Sequence, residues 1–398
     1  MKDLARYRAA WHSSAANYDE TVHLTTMPVP MGWRSAGAGE EWIYVDLGAA
    51  SQIDDVEVVW GEAFARRYEI QLSDDAVQWC TVAEAEGTQT EAVRTRITGQ
   101  ARFVRVLCTE AAAAHYEIRE IHVWGQNDLQ YALAPMPEPE ADGTQRLTGG
   151  RWTIGRAEQI APDGAALSQP GFDDTDLLPA TVPGTALVSY LNAGAIPDPD
   201  FDDDQFQISE AFFTADFWYR NTFPVPADRE GQRVYLDFDA INWKADVFFN
   251  GVFLKNELKN REHSIEGAFI RSHFDVTDLV RFGADNGLAV KIYKNDTPGP
   301  VTTQGLAEGP GPNGGPLGAD NPTIHAAVGW DWLPTIRGRD IGIYGDVYLR
   351  YSGSMELVDP WMKTDLELLS QTSSNPAKDL MEDALVIEQG KEPKAFDG

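Results

Sequence analysis

The chain of 398 residues is 43% hydrophobic and 11% aromatic, enough to bury the cores of two or three domains. Its 32 Lys and Arg against 62 Asp and Glu give a formal charge of −30, which repels a polyphosphate and offers no basic face to anionic lipid; this argues against nucleic acid and membrane as partners. No stretch reaches the roughly 18 apolar residues of a membrane span, and "MKDLARYRAAWHSS" lacks the apolar core of a signal peptide, so none is expected in this chain.

Strand signals dominate in chain order. "WIYVDLG" (42–48), "IDDVEVVWG" (53–61), "RYEIQLS" (67–73), "RFVRVLC" (102–108) and "EIREIHVWG" (117–125) are short, β-branched or aromatic, partly alternating, and separated by Gly, Asp and Ser turns. That pattern predicts an all-β sandwich. Cys80 and Cys108, the only cysteines, are too few for a disulfide framework and not spaced for zinc; two buried thiols are expected, with a single bridge between them left open. "YALAPMPEPEADGTQR" (131–146) crowds Pro with acidic residues, loses the apolar period and reads as a linker. A second strand-rich run follows in "DFWYRNTFPVP" (216–226), "RVYLDFDAINWKADVFFNGVFL" (233–254), "SHFDVTDLV" (272–280), "GLAVKIYKN" (287–295) and "GDVYLRYSG" (345–353). Within it Asn250-Gly251 predicts a type I′ hairpin, whose two turn positions need positive φ. The closing stretch from about 370 turns polar and aperiodic and reads as a loosely held tail.

Familiar catalytic signatures do not emerge. His12, His23, His115, His122, His263, His273 and His325 show no HExxH spacing. "GPGPNGGPLGADNP" (309–322) precedes no helical pattern and lacks the Lys-Ser/Thr that grips a phosphate, so it reads as a long loop; no Gly-x-Ser-x-Gly elbow occurs. "GWDWLPTIRGRD" (329–340) sets Trp330, Asp331 and Trp332 together before a strand. They either pack beneath the neighbouring loop or form a sugar contact, with indoles against pyranose C–H faces and the carboxylate accepting from two hydroxyls.

In "GWRSAGAGEEWIYVDLG", "YEIQLSDDAVQW" and "ARFVRVLC" followed by "EIREIHVWG", residues 1 to about 126 resemble a discoidin, or factor 5/8 type C, domain of the kind also classed as a carbohydrate-binding module. The resemblance implies sugar contacts from loops at one end of the sandwich, for which Tyr18, His23, His115 and Tyr116 are the candidates, while Trp33 and Trp42 are expected to be packing residues. It also implies a structural calcium with Glu120 as a ligand. "YDETVHLTTMPVP" (18–30) departs from the family's Asp-Gly turn at that metal, and a hard cation wants roughly six oxygens or more. No other cofactor is expected.

The motifs "ATVPGTALVSYLNAGAIPDPDF", "FWYRNTFPVP", "INWKADVFFNGVFL", "FDVTDLV" and "GWDWLPTIRGRDIGIYGDVYL" resemble the N-terminal sugar-binding domain of glycoside hydrolase family 2, in its β-mannosidase and exo-β-glucosaminidase branch. This implies a jelly-roll sandwich followed, in the parent protein, by an immunoglobulin-like domain and a (β/α)₈ barrel. It further implies Asp331 as a substrate contact, with Trp330, Trp332, Asn321 and Arg339 as companions. Arg339 could equally hold Asp331 or Asp340 in an ion pair.

The expected division is 1–128, discoidin-like; 129–146, linker; 147–353, jelly roll; and 354–398, the start of an immunoglobulin-like domain or a tail. Retaining glycoside hydrolysis needs two carboxylates about 5 Å apart on a rigid frame, and no segment reads as the alternating strands and helices of a barrel of about 250 residues. No catalytic residue is therefore assigned. The expectation is an all-β chain of two galactose-binding-like sandwiches in tandem, the glycan-binding part of a secreted or periplasmic exo-β-glycosidase whose other domains are its partners. The alternative is a non-catalytic adhesion module that binds proteins or cell surfaces through its discoidin domain.

Overall fold

The structure, a computed structural model, describes residues 2–17, 19–131, 143–256, 261–295, 340–355 and 360–363. The chain divides into two compact units, Met1–Ser352 and Gly353–Gly398, and both sandwiches lie in the first.

The first sandwich is built on long antiparallel strands. Glu41–Trp60 pairs on one side with Ala92–Ala111 and on the other with Glu117–Gln126, while Ala65–Ser73 continues the sheet beyond Ala92–Ala111. The segments 42–48 and 53–61, expected as separate strands, form one continuous strand whose register shifts between Asp46 and Ser51. Successive side chains of a strand face opposite ways. Ile43, Val45 and Leu47 therefore enter a core with Trp33, Trp60, Tyr68, Ile70 and Val106, while Trp42, Tyr44 and Asp46 point outward. Trp33 is wholly buried, as expected of a packing residue; Trp42 is not, because its parity puts it on the outer face. Cys108 lies in the core opposite Tyr68, whereas Cys80 is exposed opposite Leu72. The two thiols are free and attach four positions apart along the same strand, which corrects the expectation that both are buried and closes the option of a bridge.

The second sandwich encloses its core between two antiparallel sheets. One contains Phe217–Val225, Ala284–Ile292 and Lys244–Phe249; the other contains Ser272–Asp275, Arg233–Phe238, Val347–Ser352 and Thr144–Arg146. Phe217, Phe223, Phe249 and Val290 of the first meet Leu236, Phe238 and Leu349 of the second. Each such large apolar side chain, once buried, contributes about 1.5–3 kcal/mol. Asn250 and Gly251 adopt φ of 49° and 92° between Phe249 and Val252, the left-handed pair the sequence predicted, and a Cβ on Gly251 would lie 2.4 Å from Gln169 Nε2.

A seam joins the two sandwiches. Leu24, Met27 and Val29, which precede every long strand of the first sandwich, are buried in the core of the second, in one cluster with Tyr190, Ile208 and Phe212. Polar contacts run along its length: Ala9 N–H donates to Gly194 O (3.0 Å), His12 N–H to Gln207 Oε1 (3.3 Å), Trp11 Nε1–H to Asp204 Oδ1 (2.9 Å) and Ala211 N–H to Asp19 Oδ1 (3.0 Å). Arg8 donates to Asp46 O (3.0 Å) and to Ala193 O (3.2 Å), the carbonyl that closes the helix Ala186–Asn192. A helix C-terminus carries partial negative charge, which suits a buried guanidinium.

Candidate functional site

At one end of the first sandwich an open cleft of about 620 Å³ is lined by Asn17, Asp19, Glu20, Trp33, Arg34 and Glu117. The segment that carries the first three is stitched to the strand Trp33–Arg34. Trp33 Nε1–H donates to Ser14 O (2.7 Å), Ala16 N–H to Arg34 O (2.8 Å) and Ala36 N–H to Ser14 Oγ (3.0 Å). Asn17 Oδ1 accepts from the backbone N–H of Asp19 (2.8 Å) and Glu20 (3.1 Å), and this turn aims Glu20 at Arg34, with Oε1 3.7 Å from the guanidinium. Glu117 Oε2, opposite, accepts from Glu62 N–H at 3.0 Å.

One atom in this cleft stands out chemically. Glu20 Oε2 is buried and has no hydrogen-bond partner. A buried carboxylate oxygen left unpaired costs about 1–3 kcal/mol, more when charged, so the position favours an incoming hydroxyl or ammonium donor. Arg34, exposed at the rim, can in turn donate a forked pair of N–H groups to ring and hydroxyl oxygens.

The loop candidates read from the sequence fare differently. Tyr18 lies outside the described residues, between Asn17 and Asp19 of the cleft. His23 is fully buried at the seam, with Nδ1 2.7 Å from Gln207 O and its ring edge-on to Phe212, so it cannot meet a glycan from solvent. Tyr116 is also buried, and its hydroxyl donates to Gly39 O (3.0 Å). These two assignments are corrected: each side chain has an apolar body that the core claims first. His115 is half-buried and free to contact a ligand. Arg34, Glu20 and Glu117 were missed, although Arg34 directly follows the core Trp33 and Glu20 lies in the loop already singled out. Asp331, Trp330, Trp332, Asn321 and Arg339 all lie outside the described residues.

Glu120 is exposed and its Oε2 lies 3.0 Å from His122 Nε2, whose Nδ1 is 2.8 Å from Asp3 Oδ2. Asp3 and Glu120 together raise the pKa of His122. An imidazole between two carboxylates does not fit a hard cation, which needs a shell of oxygens. Among the described residues no group of three or more His, Cys, Asp or Glu side chains could hold a metal ion.

Residues 6–121 match the F5/8 type C domain, and residues 157–345 match the glycosyl hydrolase 2 galactose-binding domain-like family. The chain thus carries two all-β sandwich domains in tandem, a discoidin-type domain and the galactose-binding-like domain of glycoside hydrolase family 2. An exo-β-D-glucosaminidase of Streptomyces avermitilis is 32% identical over 247 residues, which cover 61% of this chain and 24% of that protein. A mannosylglycoprotein endo-β-mannosidase of Lilium longiflorum is 31% identical over 226 residues, 54% of this chain and 22% of that protein. Among solved structures, an exo-chitosanase of Amycolatopsis orientalis shares 27% identity with a TM-score of 0.40 over 53% of this chain and 21% of that one. A chitosan-binding module of a Paenibacillus sp. IK-5 chitosanase/glucanase, in complex with chitotriose, shares 29% identity with a TM-score of 0.29 over 31% of this chain and all of that one. The chain spans about a quarter of the length of the curated relatives it matches.

Proposed function

We propose that this chain is the glycan-binding portion of an exo-acting β-glycosidase that removes β-linked glucosaminyl or mannosyl residues, and that its first sandwich holds the sugar in the cleft of Glu20, Arg34 and Glu117. The observation that carries the reading is the order of the two matched domains together with the 32% identity to an exo-β-D-glucosaminidase. The unpaired Glu20 Oε2 supports the cleft as the place of contact. In this reading recognition belongs to the two sandwiches, while hydrolysis needs a carboxylate pair about 5 Å apart on a separate rigid frame.

Titration calorimetry of the full chain with β-linked glucosamine and mannose oligomers tests this. Binding of either, weakened about tenfold (roughly 1.4 kcal/mol) by Arg34→Ala or Glu20→Gln, is expected. Absence of binding to both, up to millimolar oligomer, would remove the cleft from consideration. Steady release of sugar from an aryl β-glucosaminide by the pure chain, abolished by changing one of its own acids, would show that it is catalytic by itself.

A further inference from the structure

The outer face of the strand Glu41–Trp60 carries an aromatic row that the cleft does not use. Trp42 and Tyr44 project from this strand, and Trp11 is the register partner of Tyr44 on the strand Ala10–His12. The Tyr44 ring lies 5.1 Å from Trp11 at an interplanar angle of 18°, and 5.5 Å from Trp42 at 17°. Carbon atoms in contact sit about 3.5–4 Å apart, so near-parallel rings at these centroid separations overlap like roof tiles and leave part of each face uncovered. All three are only half-buried. Trp79, tilted at 45° against Tyr44, is different: the Arg105 guanidinium already lies 4.3 Å above its ring.

The row has a charged end. Trp11 Nε1–H donates to Asp204 Oδ1, and Asp204 closes the acidic turn "DPDFDDD" (198–204) of the second sandwich. Burial first, then the nearby Asp203, Asp198 and Asp202, raises the pKa of Asp204. Asp202 and Asp203 are exposed, and among the described residues no Lys or Arg pairs with either. The sheet face and the acidic turn thus form one surface across the seam.

Three demands converge on that surface. Indole and phenol faces attract cations, the same faces take the apolar side of a pyranose, and carboxylates hold an ammonium through charge-assisted hydrogen bonds. We propose that the face of Trp11, Tyr44 and Trp42 is a second glycan-binding surface, selective for a β-linked amino-sugar chain, with sugar rings over Tyr44 and Trp42 and a protonated amine toward Asp202 and Asp203. A neutral polysaccharide leaves the acidic turn unused, and an anionic one meets a chain of charge −30. The sugar class rests on the function proposed above; the surface is separate from the cleft.

The test uses the full chain, with a glucosamine hexamer and its fully N-acetylated counterpart titrated at about pH 6, where an amine carries its proton. The amine form is expected to bind about tenfold more tightly than the acetylated form, a difference of roughly 1.4 kcal/mol, and to lose that advantage in about 0.5 M salt. Trp42→Ala should weaken both hexamers, whereas the surface pair Asp202→Asn and Asp203→Asn should abolish only the preference for the amine. Should Trp42→Ala fail to fold, the aspartate pair decides alone: a preference that survives it overturns the proposal. Equal affinity for the two hexamers also overturns it. Loss of binding in Arg34→Ala, with Trp42→Ala and the aspartate pair binding as the parent does, leaves the cleft standing and overturns the second surface.

Discussion

Arg8 of the first sandwich donates Nη1–H to the carbonyl of Ala193 in the second, across a separation of 185 residues. Its guanidinium runs between two glycines of positive φ, Gly48 at 80° and Gly194 at 68°, one from each sandwich, and a Cβ would approach it to 2.4 Å at the first and 3.0 Å at the second. Truncation to Arg8→Ala removes both hydrogen bonds and strands the Asp46 and Ala193 carbonyls, at a cost of about 2–3 kcal/mol. Scanning calorimetry should show a single unfolding transition in the parent and a lower Tm in the variant. A variant with unchanged Tm would mean that the seam does not depend on this residue.

The seam also predicts the behaviour of a nicked chain. Protease is expected to cut first in "PMPEPEADG" (135–143), the Pro-rich connector read from the sequence. After such a cut the two pieces should co-elute on size exclusion at neutral pH, because Leu24, Met27 and Val29 remain buried in the core that holds Tyr190, Ile208 and Phe212. Separate elution of the two sandwiches would contradict the shared core.

Acid should loosen the same region. Burial pushes His23 and the largely buried His12 down to about 4, and His23 Nε2 and both ring nitrogens of His12 are buried without partners. An unfolded imidazole titrates near 6.5, so between these values the unfolded chain binds more protons than the folded one. The stability from these groups is therefore complete above about pH 6.5 and falls away toward pH 4, by on the order of 3 kcal/mol per group. His122 works the other way: its pKa is raised by Asp3, so its contribution is present below about pH 6.5 and is lost as pH climbs through its folded value. Tm measured from pH 7.5 to about 4.5 should fall, and His23→Asn should flatten that slope; an unaltered slope in the variant would assign the acid sensitivity elsewhere.

Thiol chemistry gives a simpler check. Burial raises the pKa of Cys108, with Glu41 adding to the effect, while Cys80 is exposed. Since the thiolate is the reactive form, an aromatic disulfide reagent should titrate one thiol in the native chain and two in denaturant. Two fast native thiols would place Cys108 outside the core.

How much of the fold and of the cleft was legible in the sequence differs from element to element. The strands were, because Ile43, Val45 and Leu47 alternate with polar or aromatic neighbours, and the hairpin was, because Asn250 and Gly251 tolerate a turn that other residues resist. The face of Trp42 was not. A strand with apolar residues on both sides does not reveal which stripe is inward, and an aromatic residue satisfies either reading. The seam was invisible for another reason. Leu24, Met27 and Val29 form a short apolar run without a period, and nothing local says that they join a core built around residues near 210. The cleft was half legible: its loop could be located from the Trp33 motif, but whether a given side chain turns outward depends on backbone turns such as the one capped by Asn17.

The placement of Leu24, Met27 and Val29 constrains how these domains could have been shuffled in evolution. Discoidin-type domains look like cassettes, yet here the opening stretch of one fills a hollow in the next. A recombination event that carried off either half alone would leave a protein with an unfilled cavity on one side and three orphaned apolar side chains on the other. Selection would then act on the pair as a single heritable block, and substitutions at Leu24 or Met27 should be answered by compensating changes around Ile208 and Phe212.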